Sequence, residues 1–241
     1  MPENVTSADS QPQENGTKEV SEGTMKRISS SRGVLYDPNT SAEDYVKTYE
    51  HMWADSYNKD GAELGFKSWE YALDRITKYQ PNKDVLILDY CGGTGQVGKR
   101  LYEAGYKRLH IVDGSKAMLT QALALNVYEK SHNEVVDRKG RSNFLETTTT
   151  QYDVVLSSMS LAEFKPLVQQ VLLENLAPGG IFLSFESEPH IEKAGLDGIP
   201  WAIEEASKPD SPFELLENST SLPHDTFTDH KMKILIIRKK K

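Results

Sequence analysis

The sequence predicts an α/β domain built on a doubly wound, mainly parallel sheet of seven strands, the last two antiparallel. Three observations carry this expectation. Short apolar runs alternate with amphipathic helical segments between residues 85 and 185. A glycine-rich turn joins the first of those runs to the helix after it. Two more apolar runs, Phe213–Asn218 and Met232–Arg238, close the chain and read as an antiparallel pair.

Residues 1–33 are rich in Ser, Glu, Gln, Asn and Thr with few large apolar side chains, so they are expected to form a disordered tail. Residues 34–82 are expected to form a helical lid. In it, Ser41 and Asp44 resemble a capping pair, and Tyr45, Tyr49, Met52, Trp53 and Tyr57 recur at helical spacing, giving a helix that ends near Asn58. Phe66, Trp69, Leu73, Ile76 and Tyr79 mark a second helix, stopped by Pro81. The core then occupies 83–241. Val85–Asp89 reads as a buried parallel strand and Gln96–Ala104 as its helix, capped by Gly105. Leu109–Asp113 is the second strand, and Ser115 is the N-cap of a helix through Met118, Leu119, Ala122 and Leu123. A third strand is placed near Glu134–Val136, with a loop over 147–151. Asp153–Ser157, the helix Lys165–Leu176 and the strand Ile181–Phe185 complete the alternation.

At 241 residues the chain has room for one such domain plus a tail. Its net charge of −8 and pI near 5.3 provide no domain-wide positive field, so nucleic acid is not an expected partner. Cys91 is the one cysteine, which excludes an internal disulfide, and the opening MPENVTSADS lacks the features of a secretory signal. The expected location is therefore cytoplasmic or nuclear, and the N-x-Ser/Thr sequons are read as chance. No apolar run reaches the roughly 18 residues of a membrane span. The closing Arg238-Lys239-Lys240-Lys241 is read first as a solvated charge run.

The junction Asp89-Tyr90-Cys91-Gly92-Gly93-Thr94-Gly95-Gln96 carries the chemistry. Its glycines allow a sharp turn and close approach of a ligand, and the helix start offers free N–H donors. The run from Gly93 to Gly98 also fits the dinucleotide pattern G-x-G-x-x-G. Asp89, at the strand end, would repel a diphosphate but suits the ammonium or water shell of a methionine moiety, which favours S-adenosylmethionine over NAD. Asp113, at the end of the second strand, can accept both ribose hydroxyls and suits either cofactor. Met118 packs on the adenine or belongs to the core.

These motifs resemble class I S-adenosylmethionine-dependent methyltransferases, whose Rossmann-like fold is the one expected above. LDYCGGTG is similar to the family's first motif, with Cys91 where glycine is usual, a position that a residue with Cβ occupies less cheaply. IVDGSKAML resembles its second-strand segment, and Tyr152–Ser158 with Pro178-Gly179-Gly180 its fourth strand and the turn before its fifth. Tyr49–Asp60 resembles the lid of the Williams–Beuren-region methyltransferase-like proteins, and the resemblance runs from about 40 to 185. It implies S-adenosyl-L-methionine as cofactor and a cofactor site made of Tyr57, Asp89, Cys91, Gly92, Gly93, Gly95, Asp113, Gly114, Met118 and Ser157. Tyr57 would touch the methionine part, and Trp53 would either wall the site or anchor the lid.

A methyl transfer from a sulfonium asks the protein mainly to align a nucleophile and exclude water. His51, Glu163, Glu186 and His190 are candidate bases by position, and none is assigned; no metal site is expected. The acceptor is expected to be a small molecule, with a protein as the other option. Ser157-Ser158-Met159-Ser160 stands where adenine-N6 and glutamine methyltransferases carry Asn/Asp-Pro-Pro-Tyr/Phe. A non-catalytic binding or adaptor protein of the same fold is the alternative, and an NAD-dependent oxidoreductase a third reading.

Overall fold

A computed structural model describes residues 20–35, 37, 39–136, 141–158, 164–187, 197–223 and 231–241. Seven strands form one sheet in the order β3-β2-β1-β4-β5-β7-β6. They are β1 (Ile87–Tyr90), β2 (Leu109–Asp113), β3 (Lys130–Asn133), β4 (Tyr152–Ser158), β5 (Leu176–Ser187), β6 (Phe213–Pro223) and β7 (Lys231–Lys239). The first five pair in parallel, and β7 inserts antiparallel between β5 and β6. Strands β1 and β4 alternate their side chains between two cores. Leu88, Tyr90 and Val155 face one cluster, and Ile87, Val154 and Leu156 face the other. Burial on both faces explains why these strands read as continuous apolar runs.

The helices are α1 (Glu22–Leu35), α2 (Ala42–Thr48), α3 (Tyr57–Leu64), α4 (Ser68–Tyr79), α5 (Gln96–Glu103), α6 (Lys116–Ala124), α7 (Asn143–Thr147), α8 (Lys165–Gln170) and α9 (Gly198–Ala206). Ser41 and Ser115 cap α2 and α6, accepting from the Asp44 and Met118 amides at 3.1 and 3.2 Å. Gly105, at φ 100°, follows α5, as expected.

Four expectations need correction. The boundary of the tail at residue 33 falls inside α1, which docks through polar contacts that a count of apolar residues cannot register. The single helix expected from Ser41 to Asn58 is broken: α2 passes into a π-helical turn, Tyr49–Trp53, and α3 starts afresh at Tyr57. The third strand is Lys130–Asn133, not 134–136; it is a fully exposed edge strand with no apolar signal to reveal it. The helix after β4 ends at Gln170 and continues as a π-helical turn, Val171–Asn175. Helices α7 and α9 were not anticipated.

Candidate functional site

A cleft of about 920 Å³, open solvent included, lies at the carboxyl ends of β1, β2 and β4, where open α/β sheets bind ligands. The turn after β1 forms its floor. Cys91 and Gly93 line it, with φ of 58° and 55°. Nothing lies within 4 Å of where a Gly93 Cβ would be, so this glycine leaves the backbone open to an occupant. Gly92 and Gly95 serve packing instead. A Cβ on Gly92 would meet the Asp89 carboxyl at 2.9 Å, and one on Gly95 would meet Ala122 and Tyr128 at 3.0 Å.

Asp113 is the acid that faces the cleft. Its two oxygens accept from the Gly93 and Ser115 amides, both at 2.8 Å, so the end of β2, the glycine turn and the start of α6 meet at one carboxylate. Burial pushes Asp113 up to about 6, although those two amides pull the other way. Keeping it ionised at neutral pH costs on the order of 3 kcal/mol, stored where a donor group would offset it. Gly114 and Met118 also line the cleft.

Asp89 takes a different role from the one expected. It is 2% exposed and points beneath the turn, where the Tyr128 hydroxyl donates to it at 2.7 Å. Burial pushes it up to about 6 despite that bond. It braces the turn and does not line the cleft, so it would not contact an occupant directly. Gly98, the last glycine of the G-x-G-x-x-G match, makes room for the same tyrosine: a Cβ there would lie 2.1 Å from the Tyr128 hydroxyl. Ser157, too, does not line the cleft. It is fully buried in β4, and the next residue, Ser158, lines the cleft, because adjacent strand residues point to opposite faces.

The lid supplies an aromatic wall. Tyr45, Tyr49 and Tyr57 line the cleft. Their rings pack at a tilt across the π-helical turn, with centroids 5.5 Å apart for Tyr45 and Tyr49 and 6.4 Å apart for Tyr49 and Tyr57. Burial, helped by nearby Asp113, pushes the Tyr57 hydroxyl up to about 12, so it is neutral at physiological pH. Trp53 packs edge-on behind Tyr57 at 5.9 Å and anchors the lid without lining the cleft. Polar ties fasten this wall to the core. Glu50 accepts from the Lys116 amide at the start of α6 at 2.9 Å, Gln121 donates to the Ala54 carbonyl, and Thr94 donates to Asn58 at 2.6 Å.

The opposite wall was not foreseen. It comprises Tyr90, Glu134, Val135, Val136, Phe164 and Leu167. Glu134 accepts from the Ser142 hydroxyl and the Asn143 amide at 2.6 Å each, which seats α7 beside the cleft. The signal for it was the apolar pair Val135-Val136, which sequence reading assigned to a strand. Of the candidate bases, His51 is exposed on the lid and Glu186 is buried in β5, and neither lines the cleft. Glu163 and His190 lie outside the described residues.

Comparison with known proteins agrees with this geometry. Residues 87–180 match the family described as a methyltransferase domain. Over 80 residues the chain is 40% identical to human methyltransferase-like protein 27, a match covering 32% of this chain and 33% of that protein. The crystal structure of magnesium protoporphyrin IX methyltransferase from Synechocystis PCC 6803 with bound SAH superposes with a TM-score of 0.56 at 12% identity, over 80% of this chain and 97% of that one. The (4+2)-cyclase SpnF superposes with a TM-score of 0.52 at 15% identity, over 71% and 80% of the two chains.

Proposed function

With a methyltransferase domain over residues 87–180 and a class I methyltransferase fold as premises, we propose that this chain binds S-adenosyl-L-methionine and transfers its methyl group to a small-molecule acceptor. The observation that carries this reading is Asp113, held by two backbone amides at the end of β2 and facing the cleft at the carboxyl ends of the strands.

The residues present suit that cofactor. Asp113 would accept the ribose hydroxyls as charge-assisted bonds. Gly114, Met118 and Val135 give the cleft an apolar lining that would suit the adenine, and the open edge of Gly93 would admit the amino-acid portion. The strand order supports this choice over NAD, since dinucleotide folds commonly have the order 3-2-1-4-5-6, without the antiparallel strand inserted here. When bound, the cofactor supplies an electrophilic methyl group. The chain contributes alignment and exclusion of water: Tyr49 and Tyr57 close one side, and Phe164, Leu167 and Tyr90 hold an acceptor on the other.

No helix among the described residues is long and apolar enough to cross a membrane. A second reading, cofactor binding without methyl transfer, draws on the (4+2)-cyclase, which is named for another reaction on this architecture. Release of S-adenosylhomocysteine during incubation with fractionated small metabolites separates the two. Donor binding with no release from any fraction supports the second reading, and no donor binding removes both.

A further inference from the structure

Outside the cleft, a buried and densely bonded carboxylate, Asp60, sits in the first turn of the lid helix α3. Its side chain is 3% exposed and has four hydrogen-bonding contacts. Arg27 of α1 grips it with both prongs, Nη2 to Oδ1 at 2.6 Å and Nε to Oδ2 at 2.7 Å. The fully buried Thr24 hydroxyl lies 2.8 Å from Oδ1 and 2.7 Å from the Glu63 carboxylate, its one proton shared between them, and the Ser56 hydroxyl donates to Oδ2 at 2.9 Å. Burial raises the pKa of Asp60, but these donors outweigh it and the net shift is downward, so the carboxylate is ionised throughout the neutral range.

The cluster sits where its geometry bears on the cleft. The Asp60 amide donates to the Ser56 carbonyl, closing the first turn of α3 around Tyr57 and Asn58. Tyr57 lines the cleft, and Asn58 accepts from Thr94 in the glycine turn. A bidentate guanidinium–carboxylate pair fixes orientation as well as distance, which a lone apolar contact cannot do. Three elements distant in sequence, α1, α3 and the glycine turn, are thereby joined in one continuous polar path.

We propose that Arg27 and Asp60 are positioning residues for the donor site, and that α1 is a strap that sets Tyr57 and Asn58 rather than a dispensable extension. This rests on the donor-binding reading above. Loosening the strap lowers the fraction of molecules whose lid is set for binding, and apparent affinity falls in proportion to that fraction.

The test compares Arg27→Met with Arg75→Met in the full chain. Arg75 pairs with Glu217 at 3.1 Å, joining α4 to β6, with side chains 23% and 12% exposed, so it is a matched ion pair that does not line the cleft. Calorimetric titration with S-adenosylmethionine is expected to show about a tenfold weaker dissociation constant for Arg27→Met. Arg75→Met is expected to keep the unaltered affinity, and Arg27→Lys, which retains charge without the fork, to fall between. Equal affinities for Arg27→Met and the unaltered chain, or equal losses in the two methionine variants, overturn the proposal. Amide hydrogen exchange without ligand gives a readout independent of the donor. Faster exchange over residues 56–64 and 92–96 in Arg27→Met alone supports the strap. Unchanged exchange there overturns it even if the unaltered chain binds no donor, an outcome that would count only against the proposed function.

Discussion

Cys91 holds a backbone conformation, φ 58°, that costs a residue with Cβ on the order of 1–2 kcal/mol. Replacement by glycine removes that cost at the expense of a more flexible unfolded chain, so Cys91→Gly is expected to be neutral or stabilising by up to about 1 kcal/mol. Cys91→Val, β-branched, is expected to destabilise by about 1–2 kcal/mol; urea unfolding of the two variants checks both. Tyr128 is a second residue whose role is local and exact in register. Tyr128→Phe leaves the buried Asp89 carboxylate without its hydroxyl donor, an expected loss of about 1–3 kcal/mol. The sign with pH follows from the charge: above about 6 Asp89 is ionised and needs the donor, so the loss is larger at pH 8 than at pH 5. At this scale the sequence reveals residue type more readily than direction. Asp113, Gly93 and Cys91 line the cleft, as their motif positions suggest. Asp89 and Ser157 are buried and do not line it, a distinction that the motif does not carry because it depends on strand alternation and on partners in distant segments, Tyr128 above all.

Among the elements, those with apolar periodicity and a cap were read within a few residues: β2 and the start of α6 coincide with their expected positions because Ser115 both ends the turn and caps the helix. Elements held by polar contacts escaped. Edge strand β3 buries nothing, α7 is only five residues long and is seated by Glu134, and α1 is tied by Arg27 and Thr24. Glu134→Ala is accordingly expected to free the start of α7, with a stability loss of about 1 kcal/mol and faster amide exchange over 142–147. The closing basic run likewise has a structural use. Lys239 donates to the Leu173 and Leu176 carbonyls at 2.9 and 3.0 Å, and Lys240 donates to the Ser211 carbonyl at 2.8 Å. These cations close the end of the π-helical turn after α8 and the start of β6, as positive groups do at helix carboxyl ends.

For the whole molecule, the mainly parallel seven-stranded sheet and its antiparallel closing pair were legible from the strand–helix alternation and the two last apolar runs, whereas the order of the strands, with β7 between β5 and β6, was not. The relation of lid to core was not, because it depends on the π-helical turn and on side-chain ties between residues far apart in the chain. Two buried acids give the fold a shared pH signature. Between the ordinary carboxylate value and about 6, the folded chain holds more protons on Asp89 and Asp113 than the unfolded chain does. Their contribution to stability therefore declines as pH rises through that interval. His110 opposes this: burial lowers its pKa, so its contribution is lost as pH falls below the ordinary histidine value. Removal of one acid should expose the difference. Asp113→Asn is expected to gain stability relative to the unaltered chain as pH rises from 4.5 to 7, read by urea unfolding at each pH. Donor binding has the opposite sign, since ribose hydroxyls donate to the ionised form, and affinity is expected to weaken as pH drops below about 6.

The most direct measurement is calorimetric titration with S-adenosylmethionine and with NAD at pH 7.5, on the unaltered chain and on Asp113→Asn. The expected result is saturable binding of the sulfonium nucleoside alone, weakened about a hundredfold by the substitution through loss of two charge-assisted bonds. Equal affinity in both chains, or NAD bound as tightly, would contradict the assignment of the cleft.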